Sequence, residues 1–171
     1  MVECQKCLDP TSLGLFLVAV VSLPLGLINL FDMEDVGFAD AKMFFVLIGV
    51  LILFVAYFAY KTDSNFGFVV FGLVGAAVAL TGYGMGAWEN IVFGIVFILA
   101  IIWSIFAKTP KNLTLILLTT ALLFISVGLN GPLGLTDIDM QIAIGLFALL
   151  NGIFAVYLAF ALALDNKLPV F

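Results

Sequence analysis

Charged residues fall into short clusters along the chain, and between the clusters run six uncharged stretches: 10–31, 43–60, 64–88, 90–107, 112–136 and 140–164. About 20 apolar residues in a helix cross the hydrocarbon core of a bilayer, and each stretch is close to that length or longer. The pattern predicts an all-α integral membrane protein, a bundle of six transmembrane helices at roughly 12–31, 43–60, 64–87, 90–107, 112–130 and 140–164. A membrane barrel would need segments of about ten residues that alternate polar and apolar, and the run from Val46 to Val55 does not alternate. The connections are short, so residues 1–171 are expected to form a single transmembrane domain.

Composition strengthens this reading. The chain is 65 % hydrophobic and 10 % charged, where an ordinary soluble domain carries roughly 25 % charged residues. Its mean hydropathy is +1.32. A water-soluble core could not absorb that apolar surplus without large exposed patches, so the excess must face lipid. Six lysines, no arginine and eleven acidic residues give a net charge of −5, which leaves no basic footprint for nucleic acid.

The lysines also orient the chain. Lys6, Lys61, Lys108, Lys111 and Lys167 share the side of both termini, and only Lys42 lies opposite, so both ends are expected in the cytoplasm. Localisation in a cell membrane as a multi-pass protein follows, with the plasma membrane of a prokaryote the expected setting. The residues ahead of the first span include Glu3, Lys6 and Asp9, and no small-residue cleavage site follows the span, so no cleavable signal is expected. Cys4 and Cys7 supply half of a four-ligand zinc site and face the reducing side, where free thiols are expected.

Inside the spans lies no Asp, Glu, Lys, Arg or His, and histidine is absent from the whole chain. This removes the ionisable relay of most proton-coupled carriers and the commonest general base and metal ligand. An enzyme is not expected, nor a cofactor or a metal. A permeant would instead meet hydroxyls, amides and apolar walls, which favours a small solute. The candidate polar contacts are Ser22, Thr81, Thr119, Thr120 and Asn151. Serine and threonine can satisfy themselves on the carbonyl four residues back, but an amide in mid-helix such as Asn151 has no such local outlet. Gly72 with Ala76, and Gly75 with Ala79, are spaced to let helices approach closely. Gly82, Gly84 and Gly86 suggest a loosened end to the third span.

The opening of the first span carries a resemblance. Asp9-Pro10-Thr11-Ser12-Leu13-Gly14-Leu15 resembles the Asn-Pro-Ala-Pro-Leu-Gly-Leu signature of the acetate uptake transporter family, the succinate–acetate permeases. Asn29, Ser64-Asn65-Phe66-Gly67, Ala155-Val156-Tyr157-Leu158-Ala159 and Leu168-Pro169 agree with that family in order and spacing. The resemblance implies a hexamer in which each six-helix subunit has its own pathway for acetate and, in some members, succinate, by a channel or a proton-coupled mechanism. It further implies an apolar constriction from the first, third and fifth helices, formed in relatives by Phe, Tyr and Leu. Gapless alignment within each helix puts these positions at Val18, Val74 and Leu118, so only the leucine is kept and the two valines should widen the ring. Asp9 in place of Asn adds a charge at the cytoplasmic mouth. The alternative from the residues themselves is a channel for a neutral small solute such as urea or a short amide.

Overall fold

The computed structural model describes residues 10–31, 42–130, 137–164 and 169. They form six helices and, among the described residues, no strand: α1 (Thr11–Phe31), α2 (Lys42–Lys61), α3 (Asn65–Tyr83), α4 (Ala87–Phe106), α5 (Lys111–Leu129) and α6 (Asp137–Ala163). All six are long and apolar enough to cross a membrane. Cys4, Cys7, Asp9 and the segment of Asp32–Asp40 lie outside the described residues.

Three boundaries differ from the sequence expectation by more than one residue, and charge explains two of them. α4 begins at Ala87 instead of 90 and holds Glu89 in its first turn, while α6 begins at Asp137 instead of 140. Uncharged runs mark hydrophobic spans, but a carboxylate in the first turn of a helix is stabilised by the unpaired N–H groups and the positive end of the dipole. The third boundary is the end of α3, at Tyr83 instead of 87. There Gly84 adopts φ +92°, a left-handed cap that glycine takes without a Cβ clash, and its N–H donates to the Thr81 carbonyl.

The helices pack as three antiparallel pairs, α1 with α6, α2 with α3 and α4 with α5, and α5 also packs on α6. Glycine makes each pair tight. A Cβ at Gly26 would come within 2.7 Å of the Leu149 backbone nitrogen, one at Gly75 within 2.9 Å of the Gly49 carbonyl oxygen, and one at Gly128 within 2.8 Å of the Ala87 carbonyl oxygen. Of the two small-residue spacings in α3, Gly75 with Ala79 is therefore the one that meets a neighbouring backbone, at Gly49 of α2. Gly72 has nothing within 4 Å of an added Cβ and faces outward beside Tyr57 and Phe68.

α1, α3 and α5 run in the same direction. They start on the face where α6 ends, called here the terminal face, and finish on the distal face. Several sequence motifs meet at the terminal face. Ser12 Oγ donates to the Ala159 carbonyl at 3.0 Å, and Tyr157 Oη donates to the Pro169 carbonyl at 2.7 Å. Ser64 caps α3 by accepting from the Gly67 N–H at 3.3 Å, and the Phe66 ring packs on Trp103 with centroids 5.1 Å apart. These residues thus fasten helix ends, a structural task that accounts for their spacing.

Candidate functional site

The odd-numbered helices enclose a cavity of about 150 Å³. α1 contributes Val18, Val21, Ser22 and Leu25; α3 contributes Val74, Val78 and Thr81; α5 contributes Thr120, Leu123, Phe124 and Val127. These positions repeat at three and four residues, as one face of a helix requires. The even helices add single side chains, Phe45, Asn90 and Asn151. Since the lining comes from the later halves of α1, α3 and α5 and the first turns of α2 and α4, the cavity reaches from mid-depth toward the distal face.

Toward the terminal face the bundle is closed. Leu15, Leu117 and Leu158 are each less than 2 % exposed, and Phe71 is buried with its ring over Gly14, where a Cβ would collide with it. None of these side chains lines the cavity. The signature residues divide accordingly. Pro10 precedes α1, and its carbonyl accepts from the Gly14 N–H at 3.1 Å. Leu13 is exposed, Gly14 admits Phe71, and Leu15 belongs to the apolar seal.

At mid-depth four of the five expected polar residues form one node. The Asn151 side chain is 2 % exposed; its Oδ1 accepts from Thr119 Oγ1 at 3.1 Å and from Thr120 Oγ1 at 3.2 Å, and its Nδ2 donates to Ser22 Oγ at 3.1 Å. The node ties α1, α5 and α6 together. Each threonine hydroxyl has one proton and a second acceptor on its own helix, at 3.0 Å for Thr119 and 2.7 Å for Thr120, both on the Ile116 carbonyl. Two donors of the node have no acceptor among the described residues: the Ser22 hydroxyl proton and the second N–H of the Asn151 amide. The fifth residue, Thr81, lines the cavity but donates to the Ala77 carbonyl at 2.9 Å, as a hydroxyl in a helix readily does. Asn90, a cavity residue that the sequence reading passed over, donates to the Gly86 carbonyl at 2.8 Å. Its position beside Glu89, at an apparent loop, hid it.

The three residues expected at the constriction do not share one environment. Val18 and Val74 lie in the cavity wall. Leu118 does not: it is 42 % exposed, beside Ile101 and Ile105 on the outer face of α4 and α5. Leu118 lies about 200° around α5 from Thr120, which puts it on the side of the helix away from the cavity. Leu117, one residue earlier, is the buried leucine.

No family model matches the sequence, and no curated protein does either. The fold does match a solved structure described as the bacterial acetate channel SatP, with a TM-score of 0.79 over 95 % of this chain and 98 % of that one, at 18 % sequence identity. The resemblance read at the start of α1 thus extends to the whole architecture, and the chain has the fold of an acetate transporter.

Proposed function

We propose that the protein conducts acetate and similarly small monocarboxylates across a membrane, through the cavity within each subunit. The observation that carries this reading is the node at Asn151, where Ser22, Thr120 and Asn151 bring neutral hydroxyl and amide groups into the wall of a largely apolar cavity. An ionised carboxylate has two acceptor oxygens and no donor, so it suits such a node. Urea brings four N–H groups of its own and would find few acceptors there. Size agrees: an apolar cavity of about 150 Å³ in another protein admits benzene, so four heavy atoms fit easily. Each hydrogen bond to a charged group is worth roughly 1.5–3 kcal/mol, which offsets part of the dehydration that an anion undergoes on leaving water. The shared fold with an acetate channel supports the same conclusion.

The reading includes three further elements: a hexamer with one pathway per subunit, both termini in the cytoplasm, and residence in a prokaryotic plasma membrane. With no Asp, Glu, Lys, Arg or His between the ends of the spans, any coupling to protons runs through protonation of the permeant in solution, not through a protein acid at mid-depth.

Uptake of labelled acetate into proteoliposomes, with and without a proton gradient and with urea and succinate as competitors, tests the proposal. Acetate flux above that of empty liposomes is expected. Accumulation driven by the gradient identifies a proton-coupled permease, and flux that only equilibrates identifies a channel. No acetate flux overturns the reading, and urea flux without pH dependence puts the neutral-solute channel in its place.

A further inference from the structure

The strongest unexplained group is Asn112, the second residue of α5. Its side chain is 2 % exposed, yet among the described residues its Nδ2 has no hydrogen-bond partner. Buried amides are almost always paired, so an orphan donor asks what it is kept for.

Helix geometry tells where it lies. Asn112 precedes Thr119 by seven residues and Leu123 by eleven, which places it about 20° from each around α5, between a residue bonded to Asn151 and a residue of the cavity wall. It therefore sits on the pathway face of α5. Its depth follows from the node. Hydrogen bonds through Asn151 hold Ser22 of α1 level with Thr119 of α5, and the two helices run in the same direction. Seven residues back along each, about 10 Å toward the terminal face, are Leu15 and Asn112. At that level Phe71 packs over Gly14. The unpaired Asn112 amide thus lies at the depth of the buried Leu15 and Phe71. Just outside it Lys111, and Lys108 in the preceding turn, are exposed and draw anions toward that mouth.

We propose that Asn112 is a second binding residue for the permeant, which donates to a carboxylate as it passes between the Asn151 node and the terminal face. This rests on the carboxylate-conducting reading above. Permeation then proceeds by transfer between two neutral donor sites about two helical turns apart, with Leu15, Phe71 and Leu117 separating them.

The test compares the parent protein with Asn112→Leu and Asn112→Gln in proteoliposomes, with acetate flux and thermal stability in detergent read for each. Asn112→Leu keeps the branching of the side chain, with bulkier methyls in place of the amide, and removes an orphan donor, so its melting temperature should change little while acetate flux falls at least tenfold. Asn112→Gln, which keeps the amide, should retain much of the flux. Parent-level flux in Asn112→Leu overturns the inference while leaving the function intact. A loss of stability in Asn112→Leu that matches its loss of flux, with no rescue by Asn112→Gln, assigns Asn112 a packing role and also overturns it. A parent protein without acetate flux removes the functional reading itself, and this inference with it.

Discussion

Replacing Asn151 with leucine separates what the node does for the fold from what it does for a permeant. The substitution keeps the branching of the side chain and deletes three interhelical hydrogen bonds, from Thr119, from Thr120 and to Ser22. Interhelical bonds in lipid average about 0.6 kcal/mol, so three lost outright would cost about 2 kcal/mol. The true cost should be well below it. Both threonines already lie within 3.0 Å of the Ile116 carbonyl and can turn their protons there, leaving only Ser22 without its partner. A loss of about 0.6 kcal/mol is expected, small for a six-helix bundle.

Transport should respond differently. If the Asn151 amide donates to the carboxylate, its loss costs the permeant about 1.5–3 kcal/mol. At 1.36 kcal/mol per tenfold, flux should fall about 10- to 150-fold. The assay pairs acetate flux in proteoliposomes with thermal or denaturant unfolding of the same preparation. A variant that keeps flux within twofold of the parent, or that loses stability and flux in step, refutes the assignment of the node to the pathway.

The remaining predictions follow from placement. Val74→Phe puts a benzene-sized ring into a cavity that holds about one such ring, so acetate flux should drop at least tenfold; unchanged flux would mean that the permeant travels elsewhere. Leu118→Ala alters the outer face of α5 and should leave flux within twofold of the parent, whereas a strong loss in a folded variant would return Leu118 to the pathway. Gly49→Ala should lower the unfolding temperature, because its Cβ would come within 2.7 Å of the Ala79 Cα and force α2 from α3, an overpacking cost of about 1–3 kcal/mol. Gly72→Ala, with open space around it, should instead gain up to about 1 kcal/mol from helix propensity, and the contrast is read by melting both variants side by side.

Much of this architecture was legible because lipid is a severe solvent. A chain whose uncharged stretches match the bilayer thickness has few folds open to it, and the six helices could be placed from charge clusters alone. The same rule misplaced helix starts at Glu89 and Asp137, since acidic residues favour first turns even where hydropathy ends. The node was half legible. Asn151 stood out as an amide without a local acceptor, and Ser22, Thr119 and Thr120 were named with it, but that all four touch depends on α1 and α6 packing together from opposite ends of the chain. The constriction was the least legible part. Apolar helices carry no mark of register, and a shift of one or two positions exchanges a buried residue for an outward one, as Leu118 against Leu117 and Thr120 demonstrates. Asn112 gave no signal at all, because next to Lys111 at the end of a span it reads as an interfacial residue, and only its burial reveals it.

The absence of charge in the spans and the valines at positions 18 and 74 then point the same way. A conducting site must bind its permeant well enough to admit it and loosely enough to release it. A buried lysine or arginine would hold a carboxylate too firmly, and a buried carboxylate would exclude it; neutral donors avoid both extremes. With Val18 and Val74 in the cavity wall at the level where the family resemblance expects aromatic side chains, the buried Leu15 and Phe71 lie one turn nearer the terminal face. If the cavity conducts acetate as proposed, Ser22 and Asn151 form the permeant's site on its distal side, and the barrier beyond it is the apolar layer of Leu15 and Phe71.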